Sequence, residues 1–160
     1  MSDAKIVNLA DLPWTRLDTS PAIAVETLDP ARRLGSVLAG LRLYRLAPGK
    51  QSTRLHRHHH QEEMFLVLKG EGTLRHGERS VPVKTGDFIL YLAGDPDPHT
   101  FVNTGEAPME YLATGNRVGH EVCEYPEEGT VYVESIDRTL LNEDVPGAAE
   151  RMKKWYDAGR

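Results

Sequence analysis

The sequence predicts one all-β domain, a sandwich or barrel of short strands, on three observations. Turn-forming stretches recur at short intervals, as in "PGK", "KGEG", "TGD" and "NTGEAP". The segments between them have strand length and are rich in Val, Leu, Tyr and Phe. The chain has 160 residues, of which 39% are hydrophobic, so it can bury one ordinary core but is short for two domains.

Ten strands follow from this pattern and form a barrel core over about 39–135. The predicted spans are 41–47, 54–59, 63–69, 72–76, 79–83, 87–92, 99–103, 109–114, 121–125 and 130–134. Ahead of them, residues 1–38 combine several prolines with little periodicity, which predicts an extended arm over the barrel.

The end of the chain changes character. In "PGAAERMKKWYDAGR" a leading proline and a closing glycine predict a short helix over about 146–158. Met152, Trp155 and Tyr156 would then share one helix face. Because that stripe and the segment 64–68, which is apolar on both strand faces, offer more apolar surface than one small barrel covers, we expect a homodimer.

Composition excludes several classes of function. The net charge of -5 and the absence of a Lys/Arg run argue against nucleic-acid binding. The longest apolar runs, "MFLVL" and "FILYLA", fall far below the ~20 residues that span a bilayer. The start of the chain lacks the pattern of a secretory signal, so we expect a cytoplasmic protein. The single cysteine, Cys123, is predicted to be a buried or half-buried thiol.

The stretch "HRHHHQEE" at 56–63 holds four of the seven histidines. Side chains alternate along a strand, so His56 and His58 share one face while Arg57 and His59 take the other. Two imidazoles ~6.6 Å apart along a strand can converge on one ion. The sequence therefore predicts a metal clip, with a solvated polar loop as the alternative.

Carboxylates follow the histidines directly. Glu62 and Glu63 come just after a short turn, and either could return to the same ion from the next strand. The remaining histidines are predicted to be surface or solvated residues, namely His59, His60, His76 and His120.

At this point the residues resemble a family. The order His56, one residue, His58, four residues, Glu63, six residues, Gly70 is similar to the first motif of the cupin superfamily. A glycine, Gly86, followed later by His99, three residues and Asn103 resembles its second motif. The resemblance covers roughly 45–114 and implies a double-stranded β-helix, or jelly-roll, barrel. It also implies one metal ion bound by His56, His58, Glu63 and His99, with a structural role for Asn103.

The chain departs from those motifs in the loops. Six residues separate Gly49 from His56 where the first motif has five, and Leu92 stands where the second motif has proline. Four residues, "DPDP", separate Gly94 from His99 where the motif has two. This "GDPDPHTFVN" form resembles stand-alone bacterial cupins of undetermined activity, some described as sugar-phosphate-isomerase-like.

Three imidazoles and one carboxylate suit Zn, Fe, Mn, Ni or Co and leave positions open for a ligand. We expect an enzyme acting on a small oxygenated molecule, of isomerase or dioxygenase type, or else a non-catalytic cupin that binds a small molecule or stores metal.

The side chains that share strand faces with the ligands predict a mostly apolar pocket, lined by Phe65, Val67 and Phe101. Arg54 could hold a carboxylate or phosphate there, with a surface arginine as the alternative. Tyr91, Asp95 and Asp97 are the candidates for proton transfer. The two aspartates lie in "GDPDP", which is predicted to form a rigid lip with its carboxylates at the pocket mouth.

Overall fold

The computed structural model describes residues 4–142, 147, 149–150 and 153. Thirteen strands occur in the described residues: β1 (Thr15–Asp18), β2 (Ala24–Leu28), β3 (Ala39–Leu46), β4 (Arg57–His58), β5 (Glu63–Lys69), β6 (Glu71–His76), β7 (Arg79–Lys84), β8 (Phe88–Tyr91), β9 (His99–Val102), β10 (Met109–Asn116), β11 (Val122–Tyr125), β12 (Thr130–Val133) and β13 (Arg138–Leu141). A four-residue helix, α1, spans Pro30–Arg33, and single 3₁₀ turns span Leu9–Asp11 and Glu134–Ile136. None of the helical segments in this part of the chain could traverse a bilayer.

The strands form three antiparallel sheets. Their orders are β1-β2-β3-β10-β5-β8, β13-β12-β11-β4 and β7-β6-β9. The buried core joins the first sheet to the third, with the large side chains Phe65, Phe101, Met109 and Tyr111 among its members. The all-β prediction is therefore confirmed, and nine of the ten predicted strands agree with the observed spans to within two residues.

The exception is the predicted strand 54–59, which is only two residues long as β4. The chain changes partners here: His56 forms an isolated bridge with His99, and the next residues, Arg57 and His58, pair with β11. A continuous ladder is impossible because the two partners belong to different sheets. This change of partner sets the histidines between the sheets.

The N-terminal segment, for which the sequence predicts an extended arm, contributes two strands. β1 and β2 form an antiparallel hairpin, and β2 pairs with β3, so the hairpin extends the largest sheet. Strand β13 was also missing from the prediction. Of the predicted helix over 146–158, only residues 147, 149–150 and 153 are among the described residues.

Candidate metal centre

The predicted ligands meet at one point between the sheets. The Oε2 atom of Glu63 lies 3.0 Å from Nε2 of His99, 3.3 Å from Nε2 of His58 and 3.9 Å from Nε2 of His56. Strand pairing explains this meeting, since His56 and His99 are joined by two backbone hydrogen bonds of 3.2 and 2.7 Å. Glu62, the alternative carboxylate, is exposed.

Hydrogen bonding fixes the orientation of His56. Its Nδ1 lies 2.8 Å from the backbone carbonyl of Arg54, so Nδ1–H donates and the lone pair of Nε2 faces Glu63. Burial, with His99 nearby, lowers the pKa of His56 to about 3. The ring is therefore neutral at physiological pH, which is the form that binds a metal.

The other charges of the site are coupled. Burial opposes ionisation of Glu63, but hydrogen bonds from His58 and His99 outweigh it and hold its pKa well below the ordinary value. Burial likewise opposes charge on His58, yet its contact with Glu63 raises the pKa of this histidine. A proton on His58 and the negative charge of Glu63 therefore stabilise each other.

A buried acid that the sequence analysis missed supports this centre. Glu121 is 2% exposed and accepts hydrogen bonds from the backbone N–H groups of His59 (2.9 Å) and His60 (3.1 Å). Its Oε1 atom also lies 3.4 Å from Nδ1 of His58. A carboxylate behind a metal-binding histidine orients the ring. No sequence motif could reveal it, because it approaches from a distant part of the chain.

Strand β11 brings two further side chains to the site. Cys123, buried as predicted, pairs in register with His58 and has its Sγ within 4.8 Å of ligand atoms of both His56 and His58. Burial raises the pKa of Cys123 to about 12, so it is a neutral thiol. Tyr125 stacks beside His56, with ring centroids 6.0 Å apart.

The other face of the histidine segment has a different partner. Arg57 donates to Oε2 of Glu124 at 2.9 and 2.7 Å, and Nε2 of His59 lies 3.3 Å from the same oxygen. His60 and His120 are exposed and contact each other. The alternation predicted for the segment is thus present.

Most of the predicted pocket side chains belong to the core instead. Phe65, Val67 and Phe101 are 5, 1 and 1% exposed and pack in the core cluster. Tyr91 is also buried, and its ring stacks on that of His99 at 3.8 Å. These side chains support the ligands from behind rather than line a cavity.

The "GDPDP" loop lies against the β6–β7 hairpin. Oδ2 of Asp97 is 3.1 Å from Nε2 of His76 and 3.2 Å from Arg79, while Asp95 accepts a bond from the backbone of Asp97. Neither aspartate is among the residues that line the cavity beside His56. His76, expected to be solvated, is only partly so, because its Nδ1 also accepts a 3.0 Å bond from Tyr91.

That cavity has a volume of about 260 Å³ and is lined by Arg54 together with Tyr44 and Tyr125. Its far wall comes from the N-terminal hairpin, which the sequence analysis did not connect with the site. Burial raises the pKa of Tyr44, so its hydroxyl remains a donor. A small molecule in this cavity would touch His56 directly.

The residues present fit a divalent metal ion. Three imidazoles and a carboxylate converge from three strands and their flanks, and this donor set suits borderline first-row ions. A set of four protein donors leaves coordination positions for water or substrate.

The fold and this donor arrangement define a small double-stranded β-helix protein with a histidine-rich centre. The family Cupin_2, described as "Cupin domain", matches residues 42–115. Residues 42–115 therefore form a cupin domain, and the predicted resemblance of the two histidine motifs to the cupin superfamily is confirmed.

The proteins that this chain is similar to are described with different activities and ligands. A solved structure described as a sugar phosphate isomerase of the cupin superfamily, from Silicibacter pomeroyi, superposes with a TM-score of 0.72 at 27% identity, covering 79% of this chain and 84% of that one. An oxalate-binding protein of Thermotoga maritima is 36% identical over 69 residues, which are 43% of this chain and 54% of the relative. Auxin-binding protein 1 of Arabidopsis thaliana is 33% identical over 122 residues, which are 69% of this chain and 58% of the relative. The chain spans about half the length of the curated relatives it matches.

Proposed function

We propose that the protein is a metal-binding cupin in which His56, His58, Glu63 and His99 hold one divalent ion, of Zn, Fe, Mn, Ni or Co. The observation that carries this proposal is the convergence of three Nε2 atoms on one oxygen of Glu63. Imidazoles offer lone pairs once they lose a proton, so an ion competes with protons for His58.

We further propose that the ion serves an enzyme that acts on a small oxygenated molecule, by isomerase or dioxygenase chemistry. The similarity to a protein described as a sugar phosphate isomerase supports the first reaction type. When bound, the ion would polarise a carbonyl or hold a substrate beside dioxygen. The chain itself would orient the substrate through Arg54 and the hydroxyls of Tyr44 and Tyr125.

A non-catalytic cupin is the second candidate. Two observations favour it: a relative is named as an oxalate-binding protein, and Tyr91, Asp95 and Asp97, the residues expected to transfer protons, lie outside the cavity. A binding protein needs the metal and the cavity but no proton-transfer group.

Elemental analysis of protein purified without an affinity tag tests the metal, with about one ion per chain expected. Aldose–ketose conversion of sugar phosphates and oxygen consumption with diols, thiols and keto acids then test the enzyme. Turnover that disappears on chelation supports it. A protein that carries its ion, binds ligand and turns over none of these substrates is the non-catalytic cupin.

We also propose a cytoplasmic homodimer. The support for a dimer is an exposed apolar face on the edge strand β8 and the residue after it, where Phe88, Leu90 and Leu92 are 63, 48 and 55% exposed. The predicted contribution of Trp155 and Tyr156 lies outside the described residues. Light scattering at micromolar concentration should give twice 17.9 kDa, and Leu90→Lys should return the mass to that of one chain. A monomeric parent protein would contradict the dimer.

A further inference from the structure

The cavity beside His56 has two chemically different walls. One wall is the N-terminal hairpin, which presents Leu17, Ile23 and Val25. The second wall carries the guanidinium of Arg54, whose Cζ lies 3.5 Å from the ring centroid of Tyr125. A ligand that contacts both walls needs an apolar end and an end that a guanidinium can bind.

The charges around the cavity favour a negative ligand. A second guanidinium, from Arg42, lines the cavity and donates to Asp29 at 3.0 Å. Glu128 lies near Arg54, and burial raises the pKa of this glutamate. Arg117 lies 3.4 Å from the same Asp29 oxygen, so two guanidiniums share that carboxylate, while Glu63 and Glu121 together match the charge of a divalent ion. One negative charge on the ligand would complete the balance.

The size of the cavity limits the ligand. Its volume of about 260 Å³ is below the range of ~300–1,000 Å³ typical of pockets for drug-sized ligands. The hairpin wall holds no lysine or arginine among the cavity residues, so an extended polyanion has no partner at that end.

We propose that the cavity takes a small monocarboxylate with a branched aliphatic or aromatic end, the carboxylate toward Arg54 and the metal, and the apolar end against the hairpin. This inference rests on the proposed metal centre and names the ligand class for it. Planar carboxylates match the fork of a guanidinium in a two-bond geometry, which gives Arg54 selectivity over neutral carbonyls.

Calorimetric titration of the cobalt-loaded protein tests the proposal. The probe is 3-methyl-2-oxobutanoate, which has a carboxylate and a branched end. Its comparisons are 3-methyl-2-butanone, which lacks the carboxylate, pyruvate, which lacks the branch, and isobutyl phosphate. We expect the probe to bind at least tenfold more tightly than each comparison.

Two variants locate the binding. Arg54→Gln should weaken the probe at least tenfold at equal cobalt content, since a charge-assisted pair is lost. Arg57→Gln is the matched control, because Arg57 lies on the opposite strand face against Glu124, and it should leave binding unchanged. Leu17→Ser should weaken the branched probe more than pyruvate.

The outcomes separate the two proposals. Cobalt that binds, together with probe binding that Arg54→Gln leaves unchanged, overturns this inference and leaves the metal centre standing. Tighter binding of the ketone or the phosphate also overturns it. No probe binding up to about 10 mM to cobalt-loaded protein overturns it as well. Failure to take up cobalt overturns the proposed function itself.

Discussion

The segment 56–59 has two faces that turn toward different carboxylates, with Glu121 behind His58. On one face His56 and His58 turn toward Glu63, where His99 joins them from β9. On the other face Arg57 and His59 turn toward Glu124. The two clusters are separated by the thickness of one strand, and both satisfy an acid with basic side chains from the same short stretch.

The difference between them is the arginine. A guanidinium has no available lone pair and is always charged, so the Arg57–Glu124 ion pair is electrically neutral and needs no metal ion. Three imidazoles around Glu63 can all be neutral and then present lone pairs instead of positive charges. The comparison shows that an ion pair and a metal centre can arise from alternate residues of one stretch, according to whether the donors can lose their protons.

The largest expected effect follows from removing one histidine on each face. His58→Ala should abolish metal binding, because it removes one of the two imidazoles that share this strand face. His59→Ala should keep about one ion per chain, since its ring contacts Glu124. Elemental analysis of both variants is the measurement, and equal metal content in the two would contradict the assignment of the faces.

The next comparison replaces each of the two carboxylates by an amide. Glu63→Gln should weaken metal binding at least 100-fold, because an amide is a poor ligand for these ions. Glu124→Gln should leave metal affinity unchanged but lower the free energy of unfolding by roughly 1 to 3 kcal/mol, since Arg57 loses its charged partner and is itself partly exposed. Competition with a chelator and urea unfolding measure the two effects, and a reversed pattern would refute the comparison.

A smaller effect on metal affinity is expected from Glu121, the carboxylate behind His58. Glu121→Gln keeps the shape of the side chain but removes the charge beside Nδ1 of His58. Loss of such an orienting carboxylate typically costs ~10- to 100-fold in metal affinity. Chelator competition on Glu121→Gln and Glu124→Gln, at matched folded fraction, distinguishes orientation from general destabilisation, and equal affinities would remove this role from Glu121.

The smallest expected effect is the dependence of metal affinity on pH. The contact with Glu63 raises the pKa of His58 in the metal-free protein, so a proton competes with the ion below that pKa. Apparent affinity should therefore fall, by up to tenfold per pH unit, as the pH decreases below that pKa, and should be flat above it. His56, with a pKa of about 3, remains neutral throughout. An affinity that rises on acidification would contradict this order of protonation.

The features that the sequence predicted are those that depend on local sequence pattern. Strand β5 could be read from a continuous apolar run bounded by turns, and the opposite orientations of His56 and Arg57 from simple alternation. The spacing of His56, His58, Glu63 and His99 carried the family resemblance. These features depend on neighbours in the chain.

The remaining features depend on tertiary contacts. The change of partner at His56, the approach of Glu121 and the hairpin wall with Leu17 all come from segments far apart in sequence. The alternation of side chains along the strand correctly predicted that Phe65 points inward. Alternation cannot distinguish an inward side chain that fills the core from one that lines a cavity.

The central claim is that the ion is bound by imidazole nitrogens and the Glu63 carboxylate. X-ray absorption at the zinc edge of zinc-loaded protein tests it directly, because Cys123 lies close enough to compete as a ligand. We predict nitrogen and oxygen neighbours alone, at ~2.0 to 2.2 Å. A sulfur neighbour at ~2.3 Å would contradict the account, since the ion would then be held by His56, His58 and Cys123.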